Sequence, residues 1–156
     1  MNEQHDLPQH VAVRFIEAWN LHDADAIAAL FVSDADFVNV VGLWWRNRER
    51  IRTAHAYGFE RIFSNSHMTL DRVAVRHLGA EIAVVHAVWT LTGQNPHGQR
   101  EAEKRGGVIS FTVQRQSDGA WLAVSAQNTD RVNGAETHIA TGGSLDSAHY
   151  GHKPEA

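Results

Sequence analysis

The stretch FIEAWNLHDADAIAALFVSDADFVNVVG, residues 15–42, changes its period part-way along. Up to Leu30 the apolar residues recur at helical spacing, and from Asp36 they alternate as in a strand. Upstream, Val11, Phe15 and Trp19 stand four residues apart with Ala12 and Ile16 beside them. They give one amphipathic helix, DLPQHVAVRFIEAWN, with Asp6 placed to cap it and Pro8 suited to its first turn. NLHD interrupts this helix, and Asp23 suits the cap of a second, ADAIAALFV, whose stripe is Ile27, Leu30 and Phe31. After SDA, the runs DFVNVV and LWWR flank Gly42 as a hairpin or a bent strand pair.

Downstream, Asn47 caps a third helix over about 47–63, which FSNSH ends. The remainder reads as an antiparallel meander. HMTLDRVAVRHL turns at Gly79 into EIAVVHAVWTLTGQ, and a polar connection, NPHGQREAEKRGG, follows. VISFTVQRQ and AWLAVSAQNTDRV are then joined by SDG, a strong hairpin signal. From Asn133 the chain has almost no apolar pattern, which predicts one domain over 1–132 and an extended polar tail over 133–156. Helix, helix, strand pair, helix and long strands predict an α+β fold, a curved antiparallel sheet with helices against one face.

Composition narrows the function classes. With 156 residues, 43 % hydrophobic and 21 % charged, the chain suits one domain with a real core. No apolar run approaches the roughly 20 residues of a membrane helix. MNEQHDLPQH lacks the basic start and apolar core of a signal peptide, so a cytoplasmic location is expected. There are no cysteines, which removes disulfides, thiol nucleophiles and thiolate metal sites. A net charge of −4 without a long basic tract argues against nucleic acid. His55, His67 and His86 come from three elements, but HxH and HExxH spacings are absent, as are GxGxxG, P-loop and GxSxG patterns. No metal and no cofactor are therefore expected.

Three segments, FIEAWNLHDADAIAALFVSDADFVNVVG, RNRERIRTAHAYGFERIF and DGAWLAVSAQNTD, resemble the NTF2-like superfamily. More narrowly they resemble its SnoaL-like branch, the SgcJ/EcaC family, and together they cover most of residues 10–131. The resemblance implies a cystatin-like, cone-shaped α+β barrel with three helices in its N-terminal half. It also implies a homodimer paired through the outer face of the sheet. Steroid isomerases of this fold use a first-helix tyrosine with pocket aspartates. Here the first helix offers Phe15 and Trp19, and the tyrosines are Tyr57 and Tyr150. The Asp–Arg–Asp arrangement of the epoxide hydrolases is not evident either.

In that architecture the third helix crosses the mouth of the cone. Arg48, Ile51, His55, Phe59 and Ile62 share one of its faces. His55 is either a core histidine with a local carbonyl partner or a cavity group able to move a proton near neutral pH. Asp36 either orients His55 as a carboxylate partner or caps or pairs with an arginine at the strand start. Of the first strand's two parities, the row Phe37, Asn39 and Val41 is preferred inside, with the Asn39 amide toward a ligand. His86 is preferred inward, because a polar group on an apolar strand row needs a partner; the alternative is a histidine in the dimer interface. The apolar row of the last strand favours Asn128 inside, and the family resemblance makes Gln127 its rival. Trp44 and Trp45 point opposite ways, and one forms a pocket wall or packs in the core, with Trp44 the candidate. Arg46, Arg48, Arg50 and Arg52 crowd a helix N-terminus, where a carboxylate or phosphate would relieve them, although a solvated face with Glu49 and Glu60 serves as well.

The expectation is a small-molecule-binding domain for a cyclic or aromatic ligand. In it His55 and Asp36 carry proton transfer for an isomerase, dehydratase or cyclase, and Asn39, Trp44, His86, Gln127, Asn128 and Arg48 hold the ligand. The alternative is a non-catalytic binding or dimerisation module. Paired titratable groups mark the first, and a lone polar group among apolar walls marks the second.

Overall fold

The computed structural model describes residues 5–151. The ends of the predicted domain and tail, residues 1–4 and 152–156, lie outside the described residues. Helix α1 is His10–Asn20 and buries Val11, Phe15 and Trp19 on one face. Asp6 does not cap it. Its carboxylate instead accepts the Trp121 N–H at 2.8 Å and pairs with Arg14 at 3.0 Å and His10 at 2.9 Å, tying the start of the chain to the sheet. Helix α2, Ala24–Ala28, is shorter than its pattern suggests, although Asp23 caps it through the Ala26 N–H. It stops because the Leu30 carbonyl accepts the Ala123 N–H at 2.8 Å. This starts strand β1, Phe31–Val38, five residues earlier than the alternation at Asp36 indicates.

Strand β2, Trp44–Trp45, returns antiparallel to β1 around Gly42, whose φ of 88° suits a residue without a Cβ. Helix α3, Arg48–Arg61, is capped by Asn47 through the Arg50 N–H at 2.8 Å. The long strands are β3, His67–His77, β4, Ile82–Thr92, β5, Arg105–Arg115, and β6, Trp121–Arg131. They form one six-stranded sheet in the order β2–β1–β6–β5–β4–β3. The meander is antiparallel as expected. The β1–β6 pair is parallel, joined by a long crossover of one helix and four strands (β2, α3, β3, β4 and β5), so the sheet is mixed and does not close.

Helix α2 packs on both α1 and α3, which lie against the inner face. Ala83, Val85, Ala87, Trp89 and Leu91 of β4 are buried there, as are Ile109, Phe111 and Val113 of β5. The opposite row, Val84, His86, Val88 and Thr90, is half-buried or exposed. Bulges decide which residues join the inner row. On β6, Thr112 pairs with Ser125 but Val113 pairs with Ala123, so Val124 is an extra residue. Inward parity therefore passes from Trp121 and Ala123 to Ala126 and Asn128. The predicted tail contains regular structure after Asn133. Thr137–Thr141 (β7) and Ser144–Ala148 (β8) form a separate two-stranded hairpin turning on Gly142 and Gly143, both with positive φ. The GG pair with flanking alternation is the signal that the sequence offered for this hairpin. Among the described residues no helix is long and apolar enough to cross a membrane.

Candidate functional site

Between α3 and the inner face of the sheet lies a cavity of about 160 Å³. Its walls are Phe15 and Trp19 of α1, Phe37 of β1, Trp45 of β2, and Phe63, Met68, Trp89 and Leu91. Ala54 and Gly58 of α3 keep the lid side open, since larger side chains there would enter the space. Trp19 is fixed by its indole N–H, which donates to the Ser66 hydroxyl at 3.0 Å. Ser66 in turn donates to the Phe63 carbonyl at 2.8 Å. Trp89 lies flat across β5 because its cross-strand partner is Gly107. A Cβ there would meet Cζ2 of the indole at 2.2 Å. The indole N–H donates to Asn128 Oδ1 at 2.8 Å.

His55 is the buried polar group of this cavity, 7 % exposed. One turn of helix places its ring over Ile51, and Nδ1–H donates to the Ile51 carbonyl at 2.8 Å. Phe15, Trp19, Phe37 and Trp45 meet the ring edge-on, with centroids 5.3–6.2 Å away. Burial pushes its pKa down to about 4, outweighing the opposing pull of the Ile51 carbonyl. The ring is thus neutral at pH 7, and Nε2 is a bare acceptor. Among the described residues no buried side-chain nitrogen or oxygen lacks a partner. Nε2 has none in the protein, so it is open to the cavity. His55 thus has the local carbonyl partner of the first sequence reading and also lines the hollow, but its lowered pKa departs from the near-neutral titration of the second.

Asn39, Asn128 and Arg105 add polar groups to the lining, beside Val40. Asn39 Oδ1 accepts the N–H groups of Val41 at 3.1 Å and Leu43 at 2.8 Å, which holds the β1–β2 turn. Arg105 Nη2 meets both Asp130 oxygens, at 2.6 and 2.8 Å, and its guanidinium lies 5.9 Å from the Trp89 ring. Sequence reasoning missed Arg105, because it sits in a polar run read as a connection. It also missed Trp19 and Trp89 as cavity walls, having placed both on apolar rows.

Other candidates fall elsewhere. Asp36 does not orient His55; its carboxylate accepts the Trp44 indole N–H at 2.7 Å on the outer side of β1. Trp44 is 58 % exposed and stacked by Arg46, so Trp45 is the pocket wall, since adjacent strand residues face opposite sides. His86 is exposed on the outer face, paired across the sheet with Ala74 and Ser110, because Trp89 takes the inner row. Gln127 shares that outer row, opposite Ser110, owing to the β6 bulge. Arg48 does not line the cavity and reaches the Phe31 carbonyl of β1 at 3.5 Å. Arg52 pairs with Glu49 at 2.8 Å and with Asp25 at 3.6 Å, and Arg46, Arg48 and Arg50 are exposed, so the arginines form a solvated surface. Since His86 and His55 lie on opposite faces of the sheet, the three-histidine convergence does not form.

The chain belongs to the SnoaL-like domain family, which matches residues 12–124. That match establishes no narrower branch. No curated protein matches the chain. A cystatin-like protein of Caulobacter vibrioides is similar in structure, with a TM-score of 0.73 at 22 % identity over 80 % of this chain and 87 % of that one. An NTF2-like superfamily protein of Salmonella enterica follows, with a TM-score of 0.70 at 17 % identity over 82 % and 91 %. A ketosteroid isomerase-like protein of Erwinia carotovora atroseptica has a TM-score of 0.67 at 15 % identity over 85 % and 99 %. At these identities the likeness establishes the fold, an α+β sheet of NTF2-like type.

Proposed function

We propose that the cavity binds a small, single-ring organic molecule and that the protein works as a ligand-binding domain. The observation that carries this is one neutral imidazole, its Nε2 open, in a largely apolar hollow of about 160 Å³ whose other polar groups are Asn39, Asn128 and Arg105. An apolar cavity of roughly 150 Å³ takes a benzene-sized guest. Aromatic walls suit a flat ring, and the single bare acceptor fixes its orientation.

Proton transfer is a second reading, supported by that same free Nε2. With Asp36 turned away, His55 would act alone, taking a proton as a weak base and holding no proton to give at pH 7. The paired titratable groups expected of acid–base chemistry are not assembled, which favours binding. The ketosteroid isomerase-like neighbour keeps the chemical reading worth assaying.

A homodimer belongs to the same proposal. Among the described residues no helix covers the outer face of the sheet, and its central rows, Ala74, His86, Ser110, Gln127 and Val84, Thr112, Ser125, are small or mildly polar, with Arg72 and Arg76 toward the β3 edge. Sedimentation of wild type and Val84→Arg tests it: a dimer that the variant splits supports the pairing, and a wild-type monomer refutes it.

The binding test uses phenol. Trp19, Trp45 and Trp89 all line the cavity, so their fluorescence reports on it directly. Saturable quenching by phenol, lost in Ala54→Phe, is the expected result. No quenching, or equal quenching in the filled variant, refutes the site.

A further inference from the structure

We infer that the ligand is a polar-ended ring, carrying a hydroxyl that donates to His55 Nε2 and, across the ring, a neutral carbonyl received by Asn128 and Arg105. The inference rests on the ring-binding reading of the cavity and adds the chemistry of the guest.

It follows from which hydrogen-bonding groups are already engaged. On the α3 side, Nδ1–H of His55 is committed to Ile51, so the cavity meets an acceptor there. Aromatic edges surround that acceptor, and none of them satisfies it. A guest that brings an O–H satisfies it, whereas a guest that brings a carbonyl sets two acceptors against each other. The sheet side has the opposite character. Asn128 turns its oxygen to the Trp89 indole, leaving Nδ2 as its donor. Arg105 has only donors. Asn39 has both lone pairs of Oδ1 engaged by Val41 and Leu43, so it too has only N–H to offer. Helix α3 packs on α2, β1 and β2 rather than on β5 and β6, so the cavity is what separates His55 from Asn128 and Arg105. Donor and acceptor on the guest must therefore sit at opposite ends.

Arg105 does not call for an anion. Asp130 already balances its charge through two contacts at 2.6 and 2.8 Å. A carboxylate entering beside that pair would meet like charge and lose its water. Arg105 Nη1 also reaches Gln94 Oε1 at 3.4 Å, and a neutral aldehyde or ketone oxygen takes an N–H left over by Asp130 and Gln94 without that penalty.

The test is calorimetric titration at pH 6 with 4-hydroxybenzaldehyde, benzaldehyde, phenol, toluene and 4-hydroxybenzoate. The hydroxy-aldehyde is expected to bind tightest, with benzaldehyde and phenol each about 3–10-fold weaker, as one net hydrogen bond dictates. Toluene and the benzoate are expected to be weaker still. His55→Phe keeps the aromatic shell and should abolish the preference for 4-hydroxybenzaldehyde over benzaldehyde. Asn128→Asp keeps the acceptor for the Trp89 indole and should abolish the preference over phenol. If toluene binds as tightly as the hydroxy-aldehyde, the polar-ended guest is refuted while the ring site stands. If the benzoate binds tightest, the neutral carbonyl is refuted in favour of an anion. If none of the five binds, the ring site falls as well.

Discussion

Replacing His55 by Gln should change the acid stability of the protein in a defined window. The folded ring is held near pKa 4 against an ordinary 6.5 by burial. Between those values the unfolded chain binds a proton that the folded chain refuses, so stability falls as pH drops. At about 1.36 kcal/mol per pH unit, lowering the pH from 6.5 to 4 removes about 3 kcal/mol. That is a large share of the roughly 5–15 kcal/mol that holds a small domain together. Glutamine does not titrate, so the variant should be spared this loss whatever its stability at pH 7. Every other titrating group is common to both proteins. Asp6 contributes in a different range: although burial raises its pKa, the Trp121 N–H, His10 and Arg14 lower it overall, so its stabilisation is lost only as the pH falls below the ordinary carboxylate value. Urea unfolding followed by tryptophan fluorescence at pH 7, 6, 5 and 4.5 gives the difference between the two proteins. A difference that drifts in favour of the variant below pH 6.5, with a slope near one proton, is expected. A difference independent of pH would show that the ring titrates freely in the folded state, and its burial among the aromatic side chains would be wrong.

Other perturbations probe separate parts of the site. Ser66→Ala removes the acceptor of the buried Trp19 indole and should cost about 1–3 kcal/mol in chemical unfolding. Gly107→Ala places a methyl group against the Trp89 ring and the Thr129 carbonyl, so roughly 1–3 kcal/mol of overpacking and a shifted Trp emission are expected. Truncation after Asn133 removes a hairpin that pairs with itself, with Ile139 and Leu145 exposed, and should leave the thermal midpoint of the body unchanged within a few degrees. A large fall in that midpoint would show the hairpin to be part of the body.

Periodicity was informative wherever an element had one buried face. The Val11, Phe15, Trp19 stripe, the Asn47 cap and the Ser-Asp-Gly hairpin each carry a local physical signal, and each lies where that signal puts it. Parity within strands was less legible, because one bulged residue reverses every side chain after it. Asn128 reaches the cavity because Val124 is extra, and the same bulge turns Gln127 out. His86 illustrates the other limit. Its row and the Trp89 row are both apolar, and only the helices' choice of face distinguishes them. Asp36 and His55 come from elements whose relative placement no local pattern encodes, so their pairing was a guess about distance. Arg105 was hidden by its neighbours, since a charged residue before two glycines looks like a loop until Trp89 is seen lying over Gly107.

The central claim is a neutral imidazole whose Nε2 opens into a hollow. Nitrogen-15 NMR of histidine-labelled protein reads that atom directly. His55 should hold a single Nδ1–H tautomer from pH 8 down to pH 5, and its Nε2 resonance should move on addition of 4-hydroxybenzaldehyde. A ring already protonated at pH 6, or an Nε2 that ignores every hydroxylated ring offered to it, would contradict the account.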